Sequence, residues 1–376
     1  MQKNVFVESL RVFLFLGLWC FFLTACGLRP EPIERILDTP EHFVSNGLKF
    51  IQKGRLDDAE REFKNALHLS PEYSPAHRGI GLVYGLQGRL DKAFAAMEKS
   101  KFYAKNPESN ALAYVGFMRL HTMRRLEGWL TEVENNFSFA TARVKDLPDA
   151  YFYLGIALKY SFRFVESRKA FERVKTINSS FLSEAEKELE ALETIEAARP
   201  VTDAGKAIAL LDYITRADAA ALFFHELKLP VLVQQPIARG GGRGQGYDMP
   251  PIDIENHRFS REIKEILSLD VLELETKKDG RFEPDGPVTR AEYAVMIADI
   301  LVKIKGDSRL EKRYDEMRSP LRDVRSGAPY FTAVMICTDY SRIMDVRGGF
   351  FKPHSKVSGP ESLLIIRRLK NNLGMM

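Results

Sequence analysis

The sequence predicts an all-α protein made of two unlike sets of helical repeats, and three observations carry that prediction. From Glu41 onward, small and aromatic residues recur 34 positions apart, as in Gly47/Gly81, Phe50/Tyr84, Gly54/Gly88 and Ala59/Ala93. A longer spacing of 69 to 70 residues relates Ile252–Leu301 to Leu321–Leu369. A helix-start cue also occurs three times, most fully at Phe282–Tyr293, with echoes at Ile214–Asp218 and Val357–Glu361. Pro284, Gly286 and Pro287 forbid regular structure ahead of it. Thr289 and Glu292 then form a capping box, and Ala294, Ile297, Ala298 and Leu301 give the following helix one apolar stripe. Repetition at fixed periods is the mark of stacked supersecondary units.

With 376 residues the chain is long enough for two or three domains. Its 45% apolar and 28% charged content is that of a soluble globular protein. The formal charge of +4 is gathered in no basic block, which argues against a nucleic-acid partner.

Residues 1–25 read as a signal peptide. Lys3 and Arg11 open it, and Val12–Leu23 is an apolar run too short to span a bilayer as a helix. Leu23-Thr24-Ala25-Cys26-Gly27 closes it, either as an ordinary secretory signal with a chance cysteine or as something more specific. Small residues directly before a cysteine resemble the bacterial lipobox. That resemblance implies lipidation of Cys26 and firm membrane attachment, because several acyl chains hold where one does not. It also implies a place in the cell envelope, with Gly27 compatible with the outer membrane facing the periplasm. Residues 26–40, with three prolines, read as a tether. With Cys20 in the signal, Cys337 is alone in the mature chain and has no intrachain disulfide partner, so the fold must rest on packed core.

Residues 41–180 carry the 34-residue period. Phe43, Gly47, Phe50, Gly54, Ala59, Phe63, Ala66 and Pro71 resemble a tetratricopeptide repeat, with Gly81, Tyr84, Gly88 and Ala93 one period later. The resemblance implies helical hairpins in which small residues let paired helices approach and aromatics fill the gaps. Asn110–Ala142 keeps helical spacing without the signature residues. Gly155 falls 74 residues after Gly81, six more than two periods, and the reading puts an extra loop near Ala142–Asp149. Residues 181–200 read as a capping helix striped by Leu182, Ala185, Leu189, Leu192 and Ile195, with Ser183 and Glu186 as its capping box. By resemblance the hairpins offer a concave groove to envelope proteins. The first-helix positions Val44, Leu48 and Ile51 suit an apolar partner segment better than a terminal carboxylate, or else these side chains are buried within the chain itself.

Residues 201–373 hold the second family. Gly240–Gly246 lacks the GK[ST] ending of a phosphate loop and reads as a surface loop. The order is then Asp253-Ile254 or Asp323-Val324, a helix, Gly280-Arg281-Phe282-Glu283-Pro284 or Gly349-Phe350-Phe351-Lys352-Pro353, and the helix-start cue. This order resembles the S-layer homology module, with one well-formed copy and two weaker ones. In Thr289-Arg290-Ala291-Glu292 the Thr and Glu are explained by capping, but a cation in a first turn opposes the helix dipole. It makes sense if an anion shares the site, or if the guanidinium packs on a neighbouring unit's carboxylate. By resemblance, Arg290 with Thr289 and Glu292, and Arg216 with Thr215, would bind anionic cell-wall polysaccharide. The third unit has Gly359 at that position.

The seven histidines form no metal-ligand cluster, and no nucleophile elbow or calcium loop is present, so neither an enzyme nor a cofactor or metal is expected. The function expected is a lipid-anchored envelope scaffold whose hairpins bind proteins and whose C-terminal modules bind wall glycan. The alternative is an accessory subunit of an envelope secretion or polysaccharide-export complex that uses both regions for protein docking.

Overall fold

Thr39 opens the first helix: its side chain accepts a hydrogen bond from the His42 backbone N–H, and Pro40 follows where a missing N–H costs nothing. The computed structural model describes residues 39–177, 181–234 and 251–375. The signal segment, Cys26, most of the tether and Gly240–Gly246 lie outside the described residues. No described helix is long and apolar enough to cross a membrane. The chain divides into two compact units, one ending at Lys145 and the other beginning at Asp146. That division falls inside the stretch with the shorter repeat.

The first unit is three antiparallel hairpins. They pair α1 (Pro40–Gln52) with α2 (Leu56–Leu69), α3 (Ser74–Leu86) with α4 (Leu90–Phe102), and α5 (Pro107–Arg124) with α6 (Trp129–Arg143). The repeated residues do the work their spacing predicts. A Cβ at Gly47 would lie 2.6 Å from the Phe63 ring, so glycine there lets the ring pack directly against the α1 backbone. Arg55 and Arg89, one period apart, stack over Phe50 and Tyr84 at 4.6 and 4.0 Å. The six extra residues of the third hairpin do not form the loop expected near Ala142–Asp149. They go mostly into α5, which has 18 residues against 13 in α1 and α3 and ends at a left-handed Arg125.

The second unit opens with the hairpin α7 (Pro148–Tyr160) and α8 (Phe164–Ile177), followed by α9 (Leu182–Ala198). Helix α9 packs on α8 through Ala185, Leu192 and Ile195, but Ser183 makes no cap: the helix begins one residue earlier, after Phe181. Three helical units follow. The first is α10 (Asp203–Ile208) and α11 (Arg216–His225), with the short α12 (Leu229–Gln234) after it. The second is α13 (Ser260–Leu267) and α14 (Arg290–Lys305). The third is α15 (Phe331–Met335), continued by a π-turn over Ile336–Tyr340, and α16 (Gly359–Asn372).

These units close on one another in a ring. Ile214 N–H donates to the Val357 carbonyl (2.9 Å), Val357 N–H to Val288 (3.0 Å), and Val288 N–H back to Ile214 (3.0 Å). All three residues are buried, and each stands one residue before the Thr or Ser that starts a long helix. The residues five positions into the three motifs, Ala219, Tyr293 and Ser362, are fully buried as well. One is large and two are small, and the Tyr293 hydroxyl donates to the Ser362 carbonyl at 3.2 Å. The ring is thus near-threefold in backbone and asymmetric in side chains.

Candidate functional site

The three helix starts share a Thr or Ser cap, and in two of them the cap is reciprocal. Thr215 and Asp218 bond each other's backbone N–H groups, as do Thr289 and Glu292, in reciprocal capping boxes. Ser358 accepts from Glu361 N–H at 3.3 Å. Thr215, Thr289 and Glu292, named as anion-site candidates, therefore hold backbone N–H groups in this structure.

The arginines reach across to the next unit. Arg216 donates from Nε to the Phe282 carbonyl (2.8 Å) and from Nη2 to Glu275 (2.9 Å), with Nη1 on the Glu273 carbonyl and the guanidinium 4.8 Å over the Phe282 ring. Arg290 repeats this on the third unit: Nε to Phe351 (2.7 Å), Nη2 to Asp345 (2.9 Å), and the guanidinium 4.7 Å over the Phe351 ring. It also pairs with the carboxylate of Glu361 in the first turn of α16. Packing on a neighbour is thus observed for both, mainly on carbonyls where sequence reasoning weighed a carboxylate. Burial pulls both guanidinium pKa values down, against the nearby carboxylates, and leaves them the cations an arginine always is.

The turns that receive the arginines are fixed by the aspartates that open each unit. Asp253 accepts from the N–H groups of Phe282 (2.9 Å) and Glu283 (2.7 Å), and Asp323 from those of Phe351 (2.9 Å) and Lys352 (2.6 Å). Burial works against ionisation of Asp253, but the two N–H groups outweigh it and its pKa lies below the usual carboxylate range. Gly359 is what the first unit imposes. That unit has no Gly-x-Phe-x-Pro turn, so α16 starts directly against the end of α10. A Cβ on Gly359 would lie 1.8 Å from the Ile208 carbonyl oxygen.

The two arginine sites differ in their surroundings. The side chains acting on Arg216 are the carboxylates of Glu292, Glu273, Glu275 and Glu283. Partial burial, with Glu292 and Glu275 beside it, raises the pKa of Glu273. Around Arg290 the carboxylates Asp345 and Asp323 are opposed by Arg347. Arg290 also borders a cleft of about 590 Å³, a ligand-sized volume. Its lining is mixed, six cations against five carboxylates, but Glu188, Asp345 and Glu361 are ion-paired, so Arg347, Lys352, Lys356 and, from α9, Lys187 outnumber the two remaining carboxylates, Glu190 and Asp212. Arg347 and Phe350 flank a tight turn through Gly348 and Gly349 (φ 60° and 83°), which presents both side chains to the cleft. Lys356 sits 3.9 Å over the exposed ring of Tyr213.

Sequence reasoning missed these cleft residues, although a signal was there. Glu283 and Lys352 occupy the same variable place in the two Gly-x-Phe-x-Pro turns, as do Arg281 and Phe350, so the change of character was visible once the repeats were aligned. In the first unit, Val44 is buried beside Phe63, so it packs the hairpin core and lines no open groove, correcting that expectation. Ile51 is half-buried against the same core, and Leu48 is exposed at 40%. Cys337 is fully buried, its Sγ 3.4 Å from the Ala294 carbonyl oxygen, and burial pushes its thiol pKa up. Among the described residues no group of side chains is arranged to hold a metal ion.

Comparison with known proteins bears on both halves. Residues 253–294 match the family model of the S-layer homology domain. No curated protein matches the chain. Solved structures with related helix arrangements include a thermophilic TPR protein of Thermus thermophilus, 14% identical, covering 50% of this chain and 92% of its own, with a TM-score of 0.35. A tetratricopeptide repeat protein from Parabacteroides merdae is 13% identical over 73% of this chain and 96% of its own, TM-score 0.31. PilF of Pseudomonas aeruginosa is 11% identical over 43% of this chain and 90% of its own, TM-score 0.21. These superpositions are loose, and the hairpin assignment rests on the repeated packing of Gly47, Phe63, Arg55 and Arg89. The chain thus combines tetratricopeptide-like helical hairpins with an S-layer homology domain, and the latter points to the cell envelope.

Proposed function

We propose that this protein is a lipid-anchored envelope scaffold: Cys26 carries the lipid, the hairpins of the first unit bind a protein, and the ring of helical units binds an acidic wall polysaccharide at the Arg290 side. The observation that carries the glycan part is the excess of unpaired cations in the cleft beside Arg290, where Lys187, Arg347, Lys352 and Lys356 have no ion-pair partner among the described residues and face only two unpaired carboxylates, Glu190 and Asp212. On the Arg216 side Glu283 pairs with Lys277 and Glu292 caps its helix, which leaves Glu273 and Glu275 as carboxylates that would repel an acidic polymer there. Arg290 itself holds the third unit's turn in place; the exposed cations around it meet the polymer. On the protein side, Leu48 is the open position of the first-helix set, and an apolar partner segment would engage it.

The test is co-sedimentation of the detergent-solubilised full chain with isolated wall polysaccharide. Retention that falls with added salt, and falls further in Lys352→Glu, is expected. No sedimentation, or sedimentation untouched by Lys352→Glu, overturns the glycan reading and leaves protein docking, as in an envelope secretion or export complex, as the function of both regions. That second reading draws on the arginines' commitment to internal carbonyls. For the anchor, Cys26→Ser should move the protein from the membrane to the soluble fraction; unchanged fractionation rules the lipid out.

A further inference from the structure

The S-layer homology match ends at residue 294, yet one wall of the cationic cleft comes from α9, well before it in the chain. Lys187, Glu190 and Thr194 face the cleft from that helix, across from Arg347, Phe350 and Lys352 of the third unit. The wall is firmly held. Leu192 and Ile195 are buried, and α9 packs on both α8 and α16. Two ion pairs tie it to the preceding hairpin: Lys159 Nζ to Glu188 at 2.6 Å, and a bidentate Arg168–Glu196 pair with contacts of 3.0 and 2.7 Å.

The charges within the cleft leave specific groups open. Glu361 is engaged by Arg290, Glu188 by Lys159, and Asp345 by Arg368 at 2.9 Å. Lys187, Arg347 and Lys352 keep no ion-pair partner among the described residues. Glu190 and Asp212 are left as hydroxyl acceptors, and Phe350 keeps an exposed ring with the Arg322 guanidinium 5.6 Å from its centroid. Spread cations, two acceptors and an aromatic face together suit a sugar chain that bears acid groups: the acids meet the cations, the hydroxyls donate to the carboxylates, and a C–H face lies on the ring.

We propose that the glycan site is composite: α9, a helix of the tetratricopeptide side, forms one wall of it and Lys187 contacts the acidic polymer directly. The inference rests on the glycan-binding reading above and adds to it that the S-layer homology module is an incomplete site. Two segments 160 positions apart in sequence, at Lys187 and Arg347, then share one ligand. Wall recognition depends on the docking of α9 against the third unit.

The experiment is quantitative retention of the full chain on isolated wall polysaccharide, comparing wild type with Lys187→Glu, Lys187→Arg and Lys264→Glu. Lys187 and Lys264 are both exposed, so these variants fold; Lys264 lies on α13, outside the cleft lining, and matches the change in net charge. Lys187→Glu should lower retention about tenfold, consistent with loss of a charge-assisted contact plus a new repulsion. Lys187→Arg should bind like wild type, and so should Lys264→Glu. Wild-type retention with Lys187→Glu indistinguishable from Lys264→Glu overturns the composite site and leaves the glycan reading standing. Absence of wild-type retention overturns both. A neutral oligosaccharide and inorganic polyphosphate serve as competitors, and neither should displace the wall polymer as well as an oligogalacturonate does. Equal displacement by polyphosphate overturns recognition of the sugar chain and reduces the cleft to a patch that reads charge alone.

Discussion

Arg216 and Arg290 begin equivalent helices, make equivalent bonds to the next unit's carbonyls, and stack on equivalent phenylalanines, yet Arg216 is surrounded by four glutamates while Arg290, itself paired with Glu361, opens on a cleft where unpaired cations outnumber unpaired carboxylates. The arginine is therefore the shared structural part, a clamp between consecutive units. What distinguishes the two places lies in the variable positions around the clamp, where Glu283 gives way to Lys352. A motif repeated for architecture can leave function to its least regular neighbours.

The largest effect is expected in the third unit. Gly359→Ala sets a Cβ against the Ile208 carbonyl, where backbone meets backbone and no side chain can yield, and should cost about 3 kcal/mol. Chemical denaturation will measure it, and an unchanged midpoint would mean the ring has slack at α16. Next come Arg216→Ala and Arg290→Ala, each losing a charged donor to the carbonyl of a buried phenylalanine and to more exposed carbonyls beside it, at about 2 kcal/mol apiece. Similar losses of stability in the two would confirm the common clamp. A loss confined to one would show that the clamps are unequal.

Asp253→Asn should destabilise by about 1–2 kcal/mol at neutral pH, because an amide oxygen can replace only one of the two carboxylate acceptors. Since the folded pKa of Asp253 is depressed, its contribution is present above the unfolded value of about 3.9 and is lost as pH falls through the folded one. Wild type and variant should therefore converge in Tm as the pH is lowered from about 5 toward about 2, within the range where the chain stays folded. A constant gap would place the cost elsewhere. The smallest effects on stability belong to the exchange of Glu283→Lys with Lys352→Glu, within about 0.5 kcal/mol for exposed turn positions. Polymer retention should nevertheless fall, and Glu283→Lys alone should raise it if the Arg216 side is excluded only by charge.

Much of the fold was legible because its determinants are local or periodic. Capping boxes at Thr215 and Thr289 are made within four residues, and the 34-residue spacing of Gly47, Phe63 and their successors follows from hairpin geometry. Where the extra residues of the third hairpin went was not legible, since lengthening α5 or a loop serves the spacing equally well until neighbours are packed. Nor was the burial of Val44, because helical periodicity says which residues share a face and not which face the next helix covers.

By itself the sequence determined the two repeat families, the helix starts and the irregularity of Gly359, because each is written in spacing and in residue chemistry a few positions apart. The tertiary structure alone decided what the arginines hold, why Gly359 admits no side chain, and that α9 stands over the third unit's turn. Those facts depend on contacts between residues 60 or more positions apart, such as Arg216 with Phe282 and Arg290 with Phe351. Contacts of that range leave no periodic trace, and only closure of the ring brings them together.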